Sequence, residues 1–208
     1  MLPVESLLPF VVASALLAIA PGPDNIFVLT QSTLYGKRSG ILITLGLCTG
    51  LIFHTCLVAL GVATLLQTSG WAFAVLKVLG ASYLLYLAWQ ILNSPLPTLA
   101  GDETALSDKG LYIRGIIMNI SNPKVSIFFL AFLPQFADAS FGPVAPQIFL
   151  LGAVFGVVSL LIFSGIATIA AEIGHWLRQN PTSQLYLNRL TALIFVLLAL
   201  KLMLASNL

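Results

Sequence analysis

The chain has 208 residues, of which 59% are hydrophobic and 8% are charged, and its net charge is +2. Soluble domains carry about 25% charged residues, so lipid must surround most of this chain, and the small net charge argues against nucleic-acid binding. Helices of about 20 apolar residues that cross a bilayer would use nearly the whole length, which excludes a separate soluble catalytic domain.

Six apolar stretches predict an all-α membrane protein with six transmembrane helices. In chain order the predicted spans are Leu7–Leu34, Gly40–Leu66, Trp71–Leu92, Leu111–Phe136, Gln147–Ala171 and Leu190–Ala205. A long polar stretch at about 93–110 divides this single transmembrane domain, residues 1–208, into halves of about 1–94 and 108–208. The first span lacks a basic segment before it, so we expect it to be retained rather than cleaved as a signal peptide.

The basic residues near the helix ends predict the orientation. The second and fourth connections hold no Lys or Arg, whereas the first, third and fifth hold Lys37, Arg38, Lys109, Arg114, Arg178 and Arg189. Because basic connections stay in the cytoplasm, we expect both termini outside. With the chain divided after its third span, the two three-helix halves then enter the membrane from opposite sides and form an inverted repeat if they are related.

The first and fourth predicted helices each contain a proline motif that should break them. Proline lacks an N–H group and clashes with the preceding turn, and backbone groups freed in lipid must face a cavity or polar side chains. Interrupted helices at matching positions of two halves indicate a transporter binding site. The residues that mark these breaks are Pro21, Gly22, Pro23 and Asn25 in the first helix and Pro123 in the fourth.

The breaks carry two opposite charges deep in the predicted spans, Asp24 and Lys124. A charge at mid-bilayer costs about 2.5–3.5 kcal/mol or more, so each should face the protein interior, and we expect the two to approach each other. An amino-acid zwitterion could then bind with its ammonium on Asp24 and its carboxylate on Lys124, Asn119 and Asn122. The alternatives are a structural Asp at a helix kink and a structural ion pair.

Three further titratable side chains and two cysteines lie within the predicted spans. His54 is a candidate proton-coupling residue together with Asp24, because histidine titrates near neutral pH; the alternative is a hydrogen bond between helices. Lys77 and Lys201 lie near outer helix ends and are expected to extend toward the interface. Cys48 and Cys56 are expected to pack as apolar residues, and no metal site or cofactor is predicted.

Pairs of glycines four residues apart recur in several spans. The pairs are Gly36 and Gly40, Gly46 and Gly50, and Gly152 and Gly156. Small residues at this spacing let helices approach closely. We expect these pairs to serve packing inside one chain rather than contact between two chains.

Taken together, these residues resemble the lysine exporter / homoserine–threonine resistance family of amino-acid exporters, the LysE or RhtB family. The resemblance covers essentially the whole chain and is carried by Ala20–Asp24, Gly36–Gly40, Gly46, Gly50, His54, Leu76–Leu84, Arg114–Gly115, Asn119, Asn122–Lys124 and Phe132–Phe136. It implies a multi-pass protein of the bacterial inner membrane that exports amino acids, driven by the proton gradient, and that often acts as a dimer. With Asp24 as the acidic residue well inside a span, neutral amino acids or derivatives are the expected substrates.

Two other classes compete with a transporter. An ion channel or ion-handling protein would use the Asp24–Lys124 pair to gate a pore. An intramembrane enzyme would need clustered metal ligands or a Ser/His pair such as Ser14 or Ser126 with His54, and nothing in the sequence places these together. The prediction is therefore a secondary transporter and not an enzyme.

Overall fold

The computed structural model describes residues 4–68, 70–93, 106–178 and 181–204. Within these ranges every regular element is helical and no strand occurs, which confirms the all-helical fold class. The α-helices α1 to α8 are Val4–Ile19, Pro23–Tyr35, Lys37–Thr68, Gly70–Asn93, Asp108–Ser121, Pro123–Ile127, Val144–Arg178 and Pro181–Leu204. Between α6 and α7 lie a π-helical turn, Phe128–Phe132, and two 3₁₀ turns, Leu133–Phe136 and Ala139–Phe141.

Two described helices are long and apolar enough to cross a membrane alone, Lys37–Gly61 within α3 and Val144–Glu172 within α7. The chain bends by 58° between α1 and α2 and by 50° between α5 and the segment that begins with α6. Counting each bent pair as one span gives four spans among the described residues. Both breaks lie at the predicted proline motifs, while six spans in two repeats stay a prediction. Most of the predicted connection, 94–105, lies outside the described residues.

Close packing around α3 depends on glycines. A Cβ atom at Gly46 would collide with the backbone carbonyl of Tyr112 in α5, and one at Gly152 of α7 would collide with the side chain of Thr55 in α3. The same atom at Gly156 would meet nothing within 4 Å. The predicted use of small residues for packing inside the chain is therefore confirmed at Gly46 and Gly152 but not at Gly156.

An aromatic core positions the second break. Phe128 and Phe129 of the π-helical turn are fully buried, and their ring centroids lie 5.2 and 5.1 Å from that of Phe155 in α7. Phe10 of α1 packs against Phe136 at 5.1 Å. Ring pairs at these separations are favourable beyond their buried area. This cluster joins α1, α7 and the segment that follows α6.

Candidate functional site

The first break leaves four carbonyl groups without their normal helical partners. In a continuous helix the carbonyls of residues 17–20 would accept hydrogen bonds from the N–H groups of residues 21–24. Pro21 and Pro23 have no N–H group, and Gly22 between them is in an extended conformation. A carbonyl left unpaired in the dry interior would be costly. Side chains must therefore replace the missing donors.

Two side chains satisfy all four carbonyl groups, Asn25 from α2 and Lys124 from α6. Asn25 Nδ2 donates to the oxygens of Ala18 at 2.7 Å and Ile19 at 3.4 Å, and Lys124 Nζ donates to those of Leu17 at 3.3 Å and Ala20 at 2.9 Å. A cation at the carboxyl end of α1 is also favoured by the helix dipole. Lys124, a residue of the second break, thus caps the carboxyl end of the helix at the first break.

At the second break, too, a proline leaves a backbone carbonyl without its normal helical donor. Pro123 cannot donate to the carbonyl of Asn119, and that carbonyl instead accepts from the backbone N–H of Asn122 at 3.0 Å and from His54 Nε2 at 3.1 Å. Because a carbonyl can only accept, Nε2 carries the proton. The Asn122 Oδ1 atom accepts from the backbone N–H of Lys124 at 3.0 Å and caps the start of α6.

Asp24 and Lys124 are both buried, with 2% and 5% of their surfaces exposed, but they do not form a direct ion pair. Among the described residues, charged atoms come within 4.0 Å of each other at the exposed pair Arg38–Asp108. The three protons of the Lys124 ammonium point to two carbonyls of α1 and, at 3.4 Å, to Asn25 Oδ1. The carbonyls freed by the break therefore accept the hydrogen bonds of the Lys124 ammonium. Asp24 lines the same cavity but makes no direct ion pair with Lys124.

Both charged residues line one cavity between α3, α7 and the two breaks. Its volume is about 10 Å³. That is space for about one water molecule, so a larger ligand requires the walls to separate. The polar lining residues are Asp24, Asn119, Lys124 and Ser159, and the apolar ones include Leu47, Cys48, Leu51, Phe155 and Phe163.

Four buried side-chain atoms have no hydrogen-bond partner in the described part of the chain: Asp24 Oδ1, Asn119 Oδ1, Asn122 Nδ2 and Ser159 Oγ. Buried polar groups are nearly always paired, so a cluster of unpaired ones marks a place where a ligand can bind. The sequence motifs do not indicate Ser159. A serine within an apolar helix commonly bonds to its own backbone, and one sequence offers no signal that separates this serine from others.

The other predicted site residues occupy distinct places. Asn119 lines the cavity and Asn122 caps the adjacent helix, whereas His54 reaches the Asn119 carbonyl from α3 and packs against Phe129 at 5.7 Å. The side chains of Lys77 and Lys201 are outside those that the structure describes. No group of three or more His, Cys, Asp or Glu residues that could hold a metal ion occurs in the described ranges.

Comparison with known proteins places these features in a family. Residues 15–206 match the family described as LysE type translocator. The chain is 34% identical over 192 residues to a homoserine/homoserine lactone efflux protein of Salmonella typhimurium, covering 90% of this chain and 91% of that relative. It is 30% identical over 189 residues to a leucine efflux protein of Salmonella choleraesuis, covering 90% and 89%. A membrane protein of Vibrio cholerae is 28% identical over 190 residues, covering 91% and 92%.

No solved structure matches the chain. The family match begins within α1 and runs past the end of α8, so it includes both helix breaks and every residue of the cavity wall. The two relatives above that are named for an activity are efflux proteins, which agrees with a cavity that has polar side chains at interrupted helices. The chain belongs to the LysE type translocators, a family of membrane transporters and not of enzymes.

Proposed function

We propose that this protein exports neutral amino acids or close derivatives from the cytoplasm through the cavity between the two helix breaks. The relatives named for an activity export homoserine, its lactone and leucine, all of which carry an amino group and no charged side chain. Asp24 is the acidic residue of the cavity wall. A single carboxylate can hold the amino group of the substrate but leaves no second one for a cationic side chain.

The observation that carries this proposal is the free Oδ1 atom of Asp24 in the buried cavity at the two helix breaks. In the proposed complex this oxygen accepts hydrogen bonds from the substrate ammonium. The substrate carboxylate lies toward Lys124, Asn119 and Asn122, where the unpaired Asn122 Nδ2 is a direct donor. Lys124 contributes its positive charge, since its protons are already engaged by α1 and Asn25.

The proposed architecture is six spans in two inverted three-helix halves that move against each other around the cavity. The principal helix contacts support this arrangement, since they have counterparts under exchange of the halves. The contact of α3 with α5 corresponds to that of α7 with α1 and α2, while α3 with α7 and α4 with α8 correspond to themselves. The halves would be about 1–94 and 108–208 of one domain, joined by a cytoplasmic connection.

The proposal also includes the energy source of export, the membrane location and the oligomeric state. Export would be coupled to the proton gradient through Asp24 and His54, since His54 bonds the backbone of Asn119, whose side chain lines the cavity with Asp24. The protein would lie in the bacterial inner membrane with both termini outside, in agreement with the distribution of basic residues. A homodimer is expected from the family resemblance.

Replacing Asp24 with Asn tests the binding role directly. Purified protein in liposomes with an imposed pH gradient should export a labelled neutral amino acid, and Asp24→Asn should reduce the initial rate by about 10- to 100-fold, as expected for loss of a charge-assisted hydrogen bond. Asp108→Asn is the matched control, because it removes a carboxylate from an exposed surface pair. It should export at close to the wild-type rate.

Two outcomes would contradict the proposal. Unchanged pH-driven export by Asp24→Asn would remove Asp24 from the mechanism. A current proportional to voltage, in place of saturable exchange of labelled amino acid, would instead favour the ion channel considered from the sequence.

A further inference from the structure

Ser159 differs from the other buried hydroxyl groups of the helices. Four of these groups donate to the carbonyl of the residue four positions earlier, at 2.6 to 2.8 Å: Ser14, Ser32, Thr44 and Thr55. This bond is the usual way to satisfy a serine or threonine inside a helix. Ser159 of α7 is 2% exposed, yet its Oγ has no hydrogen-bond partner among the residues that the structure describes. Its hydroxyl is therefore free for a ligand.

The surroundings of Ser159 indicate which part of a ligand it meets. It lines the same cavity as Asp24, but its neighbours on the wall from α3 and α7 are apolar, among them Leu47, Phe155 and Phe163. The cavity thus has a polar part at the two breaks and an apolar part that contains one hydroxyl group. If the charged groups of a substrate bind at the breaks, its side chain lies in the apolar part.

We propose that Ser159 is a specificity-determining residue that selects amino acids with a hydroxyl group on an otherwise uncharged side chain. The proposal rests on the proposed function and specifies its substrate class. A serine hydroxyl can both donate and accept a hydrogen bond, so it pairs with a substrate hydroxyl. An alkyl side chain of the same size leaves the buried Ser159 hydroxyl unpaired, which is unfavourable, and a charged side chain would have no counter-ion among the apolar neighbours.

Homoserine and norvaline provide the test, because they have similar size and differ by a hydroxyl in place of a methyl group. Wild-type protein in liposomes should prefer homoserine when the two labelled substrates compete. Ser159→Ala should lower the homoserine-to-norvaline rate ratio by about 2- to 10-fold, the effect of one neutral hydrogen bond. Ser14→Ala removes an equally buried hydroxyl that already donates to Phe10 at 2.7 Å, and it should leave the ratio unchanged.

Thermal unfolding of the same variants gives a second readout. Since the Ser159 hydroxyl makes no hydrogen bond with any residue that the structure describes, Ser159→Ala should be at least as stable as wild type, whereas Ser14→Ala should be less stable. An unchanged substrate ratio in Ser159→Ala, or a loss of stability as large as that of Ser14→Ala, would overturn the role of Ser159 alone. Wild-type protein that exports neither amino acid would overturn the proposed function itself.

Discussion

The two helix breaks contain similar residues but differ in how completely their polar groups are hydrogen-bonded. At the first break every freed carbonyl is paired with a side-chain donor from Asn25 or Lys124. At the second break the side chains of Asn119 and Asn122 each retain one unpaired buried atom. The difference indicates that side chains fully pair the backbone of the first break, which leaves one buried side-chain atom free, Asp24 Oδ1, while two such atoms stay free at the second break.

The two breaks are also tied to each other by Lys124. The backbone of this residue lies at the second break, in the first turn of α6, and its ammonium caps the carboxyl end of α1 at the first break. Movement of either broken helix must therefore change the hydrogen bonds of the other. A side chain shared in this way is a physical link through which the two halves of a transporter can move together.

Replacing Lys124 with Met should lower the stability of the protein more than replacing Asn25 or Asn122. It leaves two carbonyls of α1 without donors and Asp24 without a neighbouring positive charge. Each hydrogen bond to a buried charged group contributes about 1.5–3 kcal/mol, so loss of the bonds to these carbonyls should lower the free energy of unfolding by several kcal/mol. Thermal unfolding in detergent should show a large fall in Tm, together with loss of export.

The controls separate the charge from the hydrogen bonds. Lys109→Met removes an exposed lysine and should leave Tm nearly unchanged. Adding Asp24→Asn to Lys124→Met removes the uncompensated charge, so it should restore part of the stability but not the part due to the carbonyls. A Lys124→Met protein with wild-type Tm and a raised KM would show instead that the lysine serves the substrate and not the helix end.

Replacing Asn25 with Ala should have an intermediate effect, because it removes the donor to two carbonyls but leaves Lys124 in place. We expect a loss of about 1–3 kcal/mol, the usual result of leaving buried polar groups unpaired. Asn93→Ala is the matched control, since Asn93 Nδ2 makes a 2.7 Å bond to the carbonyl of Trp89 at an exposed site. Equal Tm changes for the two variants would mean that burial at the first break does not matter.

The sequence predicts the helices, the two breaks and the polar residues at them, because proline and charge within apolar stretches have direct physical consequences. It does not predict the partners of Lys124. A sequence shows that a buried lysine needs acceptors, but a carboxylate and a set of freed carbonyls both qualify, and only the fold decides between them. Ser159 has no sequence signal at all, since its distinction is a hydrogen bond that it does not make.

Replacing Asn122 with Ser should have the smallest effect on stability, and it tests whether the second break binds the substrate. Serine caps a helix about as well as asparagine, so the bond to the backbone N–H of Lys124 can be kept and the free energy of unfolding should change by less than about 0.5 kcal/mol. The free Nδ2 donor is lost, and the rate of export should fall by about 2- to 10-fold if that donor binds the substrate.

Asn122→Ala separates these two roles, because it loses both the cap and the donor and should cost about 1 kcal/mol of stability in addition to the transport defect. A fall in Tm for Asn122→Ser as large as that for Asn25→Ala would show that the second break is as tightly built as the first. A normal Tm with slower export would place the ligand at the second break, because the Nδ2 atom removed there makes no hydrogen bond in the described part of the chain.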